Sequence, residues 1–332
     1  MKNNNESIVR VLKFSISVFS ILPIINFIGI ANTSYALFTK DVDSKNCIKI
    51  RVANPLYAKP GFATDAITNL YKYDQTNLAY DETSDNNLRY IGKDPNNYVS
   101  FNNELWRIIG VMNNIEDGSG SKASRIKLIR NSVYSMNIAF DANENMYAGN
   151  NDYSKSSLKT ILNENFLKTI ESQSLRMIDS VVWNLGAIKF SQKAIAHYNA
   201  ERGTNVENGQ SIRWIGKIGL MYPSDYLYAT SGNKDTDRYS CLNYNSDEKA
   251  YPDCYNYDYL FRENDCPWTI SPSFPATSTA FFISSINGQV GYTYVTVTDV
   301  WNRSALPSLY LKPNVKITGG TGTQSDPYKL SL

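Results

Sequence analysis

The spacing of apolar and polar residues changes twice along the chain, and it predicts strands, then helices, then strands again. Residues 97–112 hold two β-rich runs around Asn102-Asn103, a pair that tolerates left-handed backbone, so a hairpin is predicted there. Strict alternation predicts a further strand at residues 125–130.

Helical spacing replaces this alternation in the middle of the chain. Apolar residues recur every three or four positions from Leu158 to Ile170, and the serines of residues 154–157 supply N-caps. A second helix is predicted over residues 192–201, ending before Gly203.

Strand patterns return in the last third. Asn287-Gly288 stands between two of these runs and is a strong hairpin signal. Strands, two main helices and more strands predict an α+β fold with a largely antiparallel sheet.

The first 36 residues have the pattern of an export signal. Three basic residues precede an apolar run over residues 14–31, and Ser34-Tyr35-Ala36 places small residues at a peptidase site. We expect cleavage after Ala36, with an uncleaved membrane anchor as the alternative. The domain prediction is a signal or anchor at residues 1–36, a stem at 37–85, with a helix from about residue 63 to 73, and a folded domain at 86–332.

Charge narrows the classes of partner. The chain of 332 residues carries 33 basic and 31 acidic side chains without a basic stripe, which argues against nucleic acid as a partner. Contact with a membrane is expected only through the N-terminal segment, and the exported product is expected outside the cell or on its surface.

Four cysteines fit an oxidising compartment. A Cys241–Cys254 bridge is predicted because it closes a short polar loop, and Cys47–Cys266 follows by elimination. A zinc site is disfavoured because the chain has one His and no Cys-x-x-Cys pair.

Three stretches carry a resemblance to a known family. Residues 150–167 match Asn-x-aromatic-x-x-Ser-x-Leu, residues 266–290 contain Trp-x-x-Ser-Pro before a hairpin, and residues 306–330 end in a Gly-rich tail. Together they resemble an uncharacterised exported domain of Gram-positive and related bacteria. The resemblance implies a fold similar to C-type-lectin-like domains and formylglycine-generating enzymes.

The chain departs from both better-known groups. Formylglycine-generating enzymes use a pair of reactive cysteines with copper, whereas the cysteines here are expected to be bridged. Calcium-dependent lectins carry Glu-Pro-Asn or Gln-Pro-Asp with Trp-Asn-Asp, and here Arg303 follows Trp301-Asn302 in place of the acid. Neither activity transfers on the fold alone.

Residues 141–152 match part of a calcium-loop template. Asp141, Asn143, Asn145 and Asp152 occupy positions 1, 3, 5 and 12. Met146 stands where the sharp turn requires Gly, so a polar loop is the prediction and calcium the alternative; no other cofactor is expected.

No residue set predicts catalysis. His197 and Glu201 are four apart on a predicted helix, but no nucleophile accompanies them, and an exposed helical pair is expected. Asp225 follows Pro223-Ser224 and is expected to cap a helix or turn. The hydroxyl-rich loop predicted around Ser271 lacks a base.

Aromatic and amide side chains predict ligand binding instead. Sugars and peptides bind where flat apolar rings stand beside hydrogen-bonding groups. The candidate binding residues, with core packing as the alternative, are Tyr255, Tyr257, Tyr259, Trp268, Trp301 and Asn302.

We therefore expect an exported, non-enzymatic binding or adhesion module whose partner is a glycan or a host or cell-surface protein. The alternatives are an oxidase of the formylglycine-generating type or a hydrolase, and a structural component of an envelope or phage-like particle.

Overall fold

A computed structural model describes residues 61–145, 147–244, 254, 257–296 and 303–332. Residues 60–332 form one compact unit. Residues 61–85, which the sequence pattern places in a stem, lie within this unit. The predicted signal segment lies outside the described residues.

Short strands and short helices make up the unit. The strands are β1 Gly61–Phe62, β2 Leu78–Tyr80, β3 Leu88–Tyr90, β4 Tyr98–Phe101, β5 Glu104–Glu116, β6 Lys122–Arg130, β7 Ser135–Met136, β8 Val181–Asn184, β9 Arg213–Gly216, β10 Ile218–Gly219, β11 Cys266–Pro272, β12 Thr279–Ile283, β13 Val290–Tyr294, β14 Arg303–Ala305, β15 Ser308–Tyr310, β16 Lys316–Gly319 and β17 Tyr328–Ser331. The α-helices are α1 Ala63–Leu70, α2 Ser157–Thr160, α3 Ser172–Met177, α4 Ala194–Glu201, α5 Pro223–Tyr228 and α6 Arg238–Leu242.

The described residues pair into three sheets. Ten strands form the large sheet, with β1-β16-β17-β4-β5-β6-β15-β10 in order and β2 and β3 joined to it through β5. Five form a second sheet in the order β13-β12-β11-β14-β7, and β8 pairs with β9. Parallel pairing is confined, among these strands, to β17 with β4 and β11 with β14. The predicted α+β class with largely antiparallel sheets is confirmed.

Both predicted hairpin turns form. Asn102 and Asn103 have φ of 57° and 58° between β4 and β5, the left-handed backbone that a two-residue hairpin turn requires. Gly288 has φ of 61° between β12 and β13. Asparagine and glycine accept this backbone at low cost, which is why the sequence signal is reliable here.

The predicted first long helix is broken into different helical types. Ser156 caps α2 by accepting a hydrogen bond from the Lys159 amide, as the serine cluster predicted. The backbone then changes to a π-helix at Ile161–Asn165 and a 3₁₀-helix at Phe166–Thr169. This keeps Leu158, Leu162 and Phe166 buried.

The stretch predicted to be a hydroxyl-rich loop corner begins as a buried strand. All seven residues of β11 are buried, because the strand lies between β12 and β14 in the second sheet. The predicted loop is wrong at Ser271 and Pro272, which belong to β11; the loop comes later, around the cis bond before Pro275.

Helix α5 lies between the two larger sheets. All six of its residues are buried, and it contacts β11 and β12 while Asp225 bonds to side chains of β3 and β6. Asp225 also accepts a hydrogen bond from the Tyr222 amide at 2.9 Å, so the predicted capping role is confirmed.

Candidate functional site

A group of aromatic rings, most of them exposed, lies on and beside the hairpin of β12 and β13. We define the aromatic face as the side chains of Tyr147, Phe190, Tyr292 and Tyr294. Tyr292 and Tyr294 point to the same side of the sheet because residues two apart on a strand share a face. Tyr147 and Phe190 come from two separate loops.

The rings of the aromatic face contact each other in pairs. Phe190 lies 5.8 Å from Tyr292 between ring centroids, and Tyr147 lies 4.8 Å from Tyr294 with the two rings nearly perpendicular. Tyr147, Tyr292 and Phe190 are 63%, 53% and 42% exposed. Tyr294 is half-buried. Aromatic side chains of this size are usually buried, so two pairs of contacting rings with three of the four rings exposed suggest a binding role.

The scaffold beneath the aromatic face is ordered by hydrogen bonds. All five residues of β13 pair with β12. The Gln192 side chain completes the edge, because its amide donates to the Val290 carbonyl at 2.7 Å and accepts from the Val290 amide at 3.2 Å. Phe190 is two residues before Gln192, so this contact positions its loop beside Tyr292.

The loop that carries Tyr147 approaches the end of the hairpin closely. A side chain at Gly149 would place its Cβ 2.4 Å from a methyl group of Val295, so only glycine fits there. The Tyr147 amide donates to the Asn145 side chain at 3.0 Å, and the Asn145 amide donates to Asn143. These exposed amide side chains supply hydrogen-bonding groups on the loop that carries the Tyr147 ring.

The predicted calcium ligands are held by other contacts. Asp141 accepts hydrogen bonds from the amides of Asn150 and Ser157, at 2.7 and 2.9 Å. Asp152 accepts from the Ser154 and Ser211 amides. The described residues contain no group of three or more His, Cys, Asp or Glu placed to hold a metal ion. Calcium binding stays a prediction.

The predicted binding residues that the structure describes lie inward rather than on one surface. Trp268 is 0% exposed, donates its indole N–H to the Ile138 carbonyl at 2.8 Å and packs against Phe140. Tyr259 is buried beneath the Arg107 guanidinium, 4.9 Å from its ring centroid. Tyr257 is partly exposed. Tyr255, Trp301 and Asn302 lie outside the described residues.

One predicted disulfide is present. Cys241 and Cys254 are bonded, with 5.8 Å between their Cα atoms. Cys266 has a buried free thiol as far as the described residues go, and Cys47 lies outside them, so their pairing stays a prediction.

A polar cleft of about 200 Å³ lies near the C-terminal end of α4. Its charged lining is largely paired internally: Arg202 contacts Asp85 at 3.0 Å, and Arg213 contacts Glu116 at 2.6 Å. These charged groups are already paired with each other. The cleft therefore has fewer free groups for contact with a ligand than the aromatic face has.

A second polar feature is fully internal. We define the buried ionic cluster as Asp81, Arg89, Lys127, Glu201 and Asp225, all of which are buried. Arg89 bonds to Asp81 and Asp225 at 2.8 Å each, and the Lys127 Nζ is 2.5 Å from Asp225. Burial raises the pKa of Glu201 to about 7, and its carboxylate accepts hydrogen bonds from Ser224.

The predicted exposed pair on α4 is therefore internal. His197 is buried, its Nε2 hydrogen-bonds the Ser191 carbonyl at 2.9 Å, and burial lowers its pKa to about 4. The expectation of an exposed His197–Glu201 pair is wrong because α4 packs both side chains inward against α5 and β12.

The sequence pattern predicts only two of the four residues of the aromatic face. The alternation of Tyr292 and Tyr294 in a predicted strand places both on one face, which could have been recognised. Tyr147 and Phe190 are more than 100 residues away, and only the folded chain brings them to the hairpin.

Comparison of the chain with protein-family models, with curated proteins and with solved structures finds no match. Along the described residues, every helix is too short or too polar to cross a lipid bilayer.

Proposed function

We propose that this protein is an exported, non-enzymatic binding module that holds a glycan on its aromatic face. The single observation that carries this proposal is the presence of two pairs of contacting aromatic rings, three of the four rings exposed, on one face of a hydrogen-bonded hairpin. The partner proposed is a surface glycan, either free or attached to a host or cell-surface protein.

The chemistry of sugars fits such a surface. A pyranose ring has an apolar face of C–H groups that packs against an aromatic ring, while its hydroxyls require hydrogen-bonding partners at the edge. Tyr292 and Phe190 supply exposed rings, and Asn143 and Asn145 supply exposed amides on the loop that carries Tyr147. The ordered strands beneath reduce the entropy cost of binding.

The proposal extends to export and to the fold family. The N-terminal sequence pattern and the Cys241–Cys254 bridge support an extracellular or cell-surface location. The antiparallel sheets with few helices are compatible with a C-type-lectin-like fold, and we propose that the chain belongs to the exported bacterial domain family with the Trp-x-x-Ser-Pro motif.

The test is binding of the purified protein, from residue 37 to 332, to an array of bacterial and host glycans. We expect Tyr292→Ala and Phe190→Ala each to weaken binding by up to about tenfold, because stacking of a sugar on one aromatic ring contributes roughly 0.5–1.5 kcal/mol. Tyr73→Ala is the matched control, since Tyr73 is 60% exposed and belongs to a different region of the chain.

Equal binding by wild type and both variants would place the glycan elsewhere. Absence of any glycan binding would overturn the proposed function. Two free thiols in the exported protein would instead favour the oxidase alternative, and ordered self-assembly would favour a structural component.

A further inference from the structure

A lysine and an aspartate from distant parts of the chain meet inside the buried ionic cluster. The Lys127 Nζ lies 2.5 Å from the Asp225 Oδ2, and the two residues are 98 positions apart. Lys127 is 0% exposed, although lysine is among the residues least often buried. A pair that costs so much to desolvate calls for an explanation.

The register of the large sheet creates the space for this contact. Arg89, Gly110, Lys127 and Tyr310 are direct neighbours on β3, β5, β6 and β15. Gly110 has no side chain, so the row has a gap between Arg89 and Lys127. Asp225, in the first turn of α5, bonds to both of these basic side chains across that gap.

Aromatic rings enclose the amine. The Lys127 Nζ lies 4.2 Å from the ring centroid of Tyr222, 5.1 Å from Trp183 and 5.2 Å from Tyr310. These rings exclude bulk water from the pair, and burial lowers the pKa of Lys127. Burial alone would raise the pKa of Asp225, but Lys127 and Arg89 outweigh it and hold that pKa below its ordinary value.

We propose that Lys127 and Asp225 become joined by an intramolecular amide bond. The ion pair is the resting form, because Lys127 and Arg89 keep the Asp225 carboxylate ionised. In the reactive form, a proton passes transiently from the Lys127 ammonium to the Asp225 carboxylate along their hydrogen bond, which gives a neutral amine and a neutral acid. The Nζ lone pair attacks Cγ, the N–C bond forms, and one C–O bond breaks. The departing oxygen leaves as water with two of the three ammonium protons, so the reaction needs no co-reactant.

The charge balance of the cluster favours this product. Before the reaction, Arg89 and Lys127 face Asp81, Asp225 and the Glu201 carboxyl group, whose pKa is raised by burial; afterwards, one positive and one negative charge have gone. Arg89 keeps its ion pair with Asp81 at 2.8 Å, and the remaining Asp225 oxygen still accepts from its guanidinium. A buried ion pair becomes a neutral amide, which removes the desolvation cost of two charges. The excluded water cannot readily hydrolyse the bond.

The test is mass spectrometry of the full chain as the cell produces it. After reduction and alkylation, we expect an intact mass one water molecule below that calculated for the sequence with alkylated cysteines, allowing for any processing at the N-terminus. Digestion is expected to yield one branched peptide that joins the Lys127 and Asp225 fragments. The Lys155–Asp152 pair, which is 3.2 Å apart with Lys155 about half exposed, is the internal control and should remain unlinked.

An unlinked Lys127 peptide at the full sequence mass would overturn the proposal. A lost water located in any other peptide would overturn it as well. Lys127→Arg keeps the positive charge but should show no branched peptide and no mass deficit. The presence or absence of the branched Lys127–Asp225 peptide in the wild-type protein tests the proposal even if the Lys127→Arg variant folds poorly.

Discussion

At the residue scale, two neighbours on α4 respond to pH in opposite ways. Unfolded His197 takes up a proton near pH 6.5, whereas the buried ring does so only near pH 4, so acidification across this interval favours unfolding. Glu201 behaves in reverse: its carboxyl is ionised above about pH 4.5 when unfolded but only above about pH 7 when buried, so rising pH favours unfolding.

We therefore predict that substitution separates the two effects. Relative to wild type, Glu201→Gln should gain stability as pH rises from 4.5 to 7, and His197→Gln should lose less stability than wild type as pH falls from 6.5 to 4. Each slope is limited to about 1.4 kcal/mol per pH unit. Urea unfolding at several pH values measures both slopes, and parallel curves for all three proteins would contradict the assignment.

At the element scale, the close pairing of β3 with β5 depends on Gly110. A Cβ at this position would lie 2.3 Å from the Leu88 carbonyl oxygen, a backbone atom that cannot move without disturbing the strand. The same glycine leaves the gap in which Asp225 meets Arg89 and Lys127. The absence of a side chain at Gly110 therefore allows both the close approach of β3 to β5 and the contacts of Asp225 in the buried ionic cluster.

We predict that Gly110→Ala lowers the free energy of unfolding by about 2 kcal/mol or more, because the strands must separate to admit the methyl group. Gly118→Ala is the matched control, since its nearest contact would be an ordinary 3.4 Å to Ile215. Chemical denaturation of the two variants checks this, and an equal effect on both would show that the β3–β5 approach is not limiting.

At the scale of the whole molecule, the described residues hold α5 between the two larger sheets, and a disulfide joins Cys241 of α6 to Cys254. Cys241 and Cys254 are 13 residues apart, and the Cys254 carbonyl accepts a hydrogen bond from Thr230 at 3.1 Å. The bridge therefore ties α6 to the segment that follows α5. The bridge also reduces the number of conformations open to the unfolded chain, which stabilises the fold.

We predict that Cys241→Ser with Cys254→Ser lowers the free energy of unfolding by about 3 kcal/mol, the chain-entropy value for a loop of this length. Non-reducing peptide maps should recover the Cys241–Cys254 peptide from the wild type. Ser240→Ala is the control, because Ser240 is an exposed residue of the same helix next to Cys241 and takes no part in the bridge. A smaller loss in the double variant than in this control would mean that the bridge contributes little.

The sequence by itself determined the features that depend on neighbours along the chain. Asn102, Asn103 and Gly288 form turns because Asn and Gly accept left-handed backbone at low cost wherever they stand in the chain. Ser156 caps α2 through a residue three positions away, and the short loop between Cys241 and Cys254 made that bridge predictable.

Only the tertiary structure decided the features that depend on distant segments. Trp268 is a core residue because β11 is central in its sheet, and His197 is internal because α4 packs against α5. The aromatic face and the Lys127–Asp225 contact join residues about 100 or more positions apart. Burial and long-range contact are set by packing, which leaves no periodic or short-range pattern at the residues concerned.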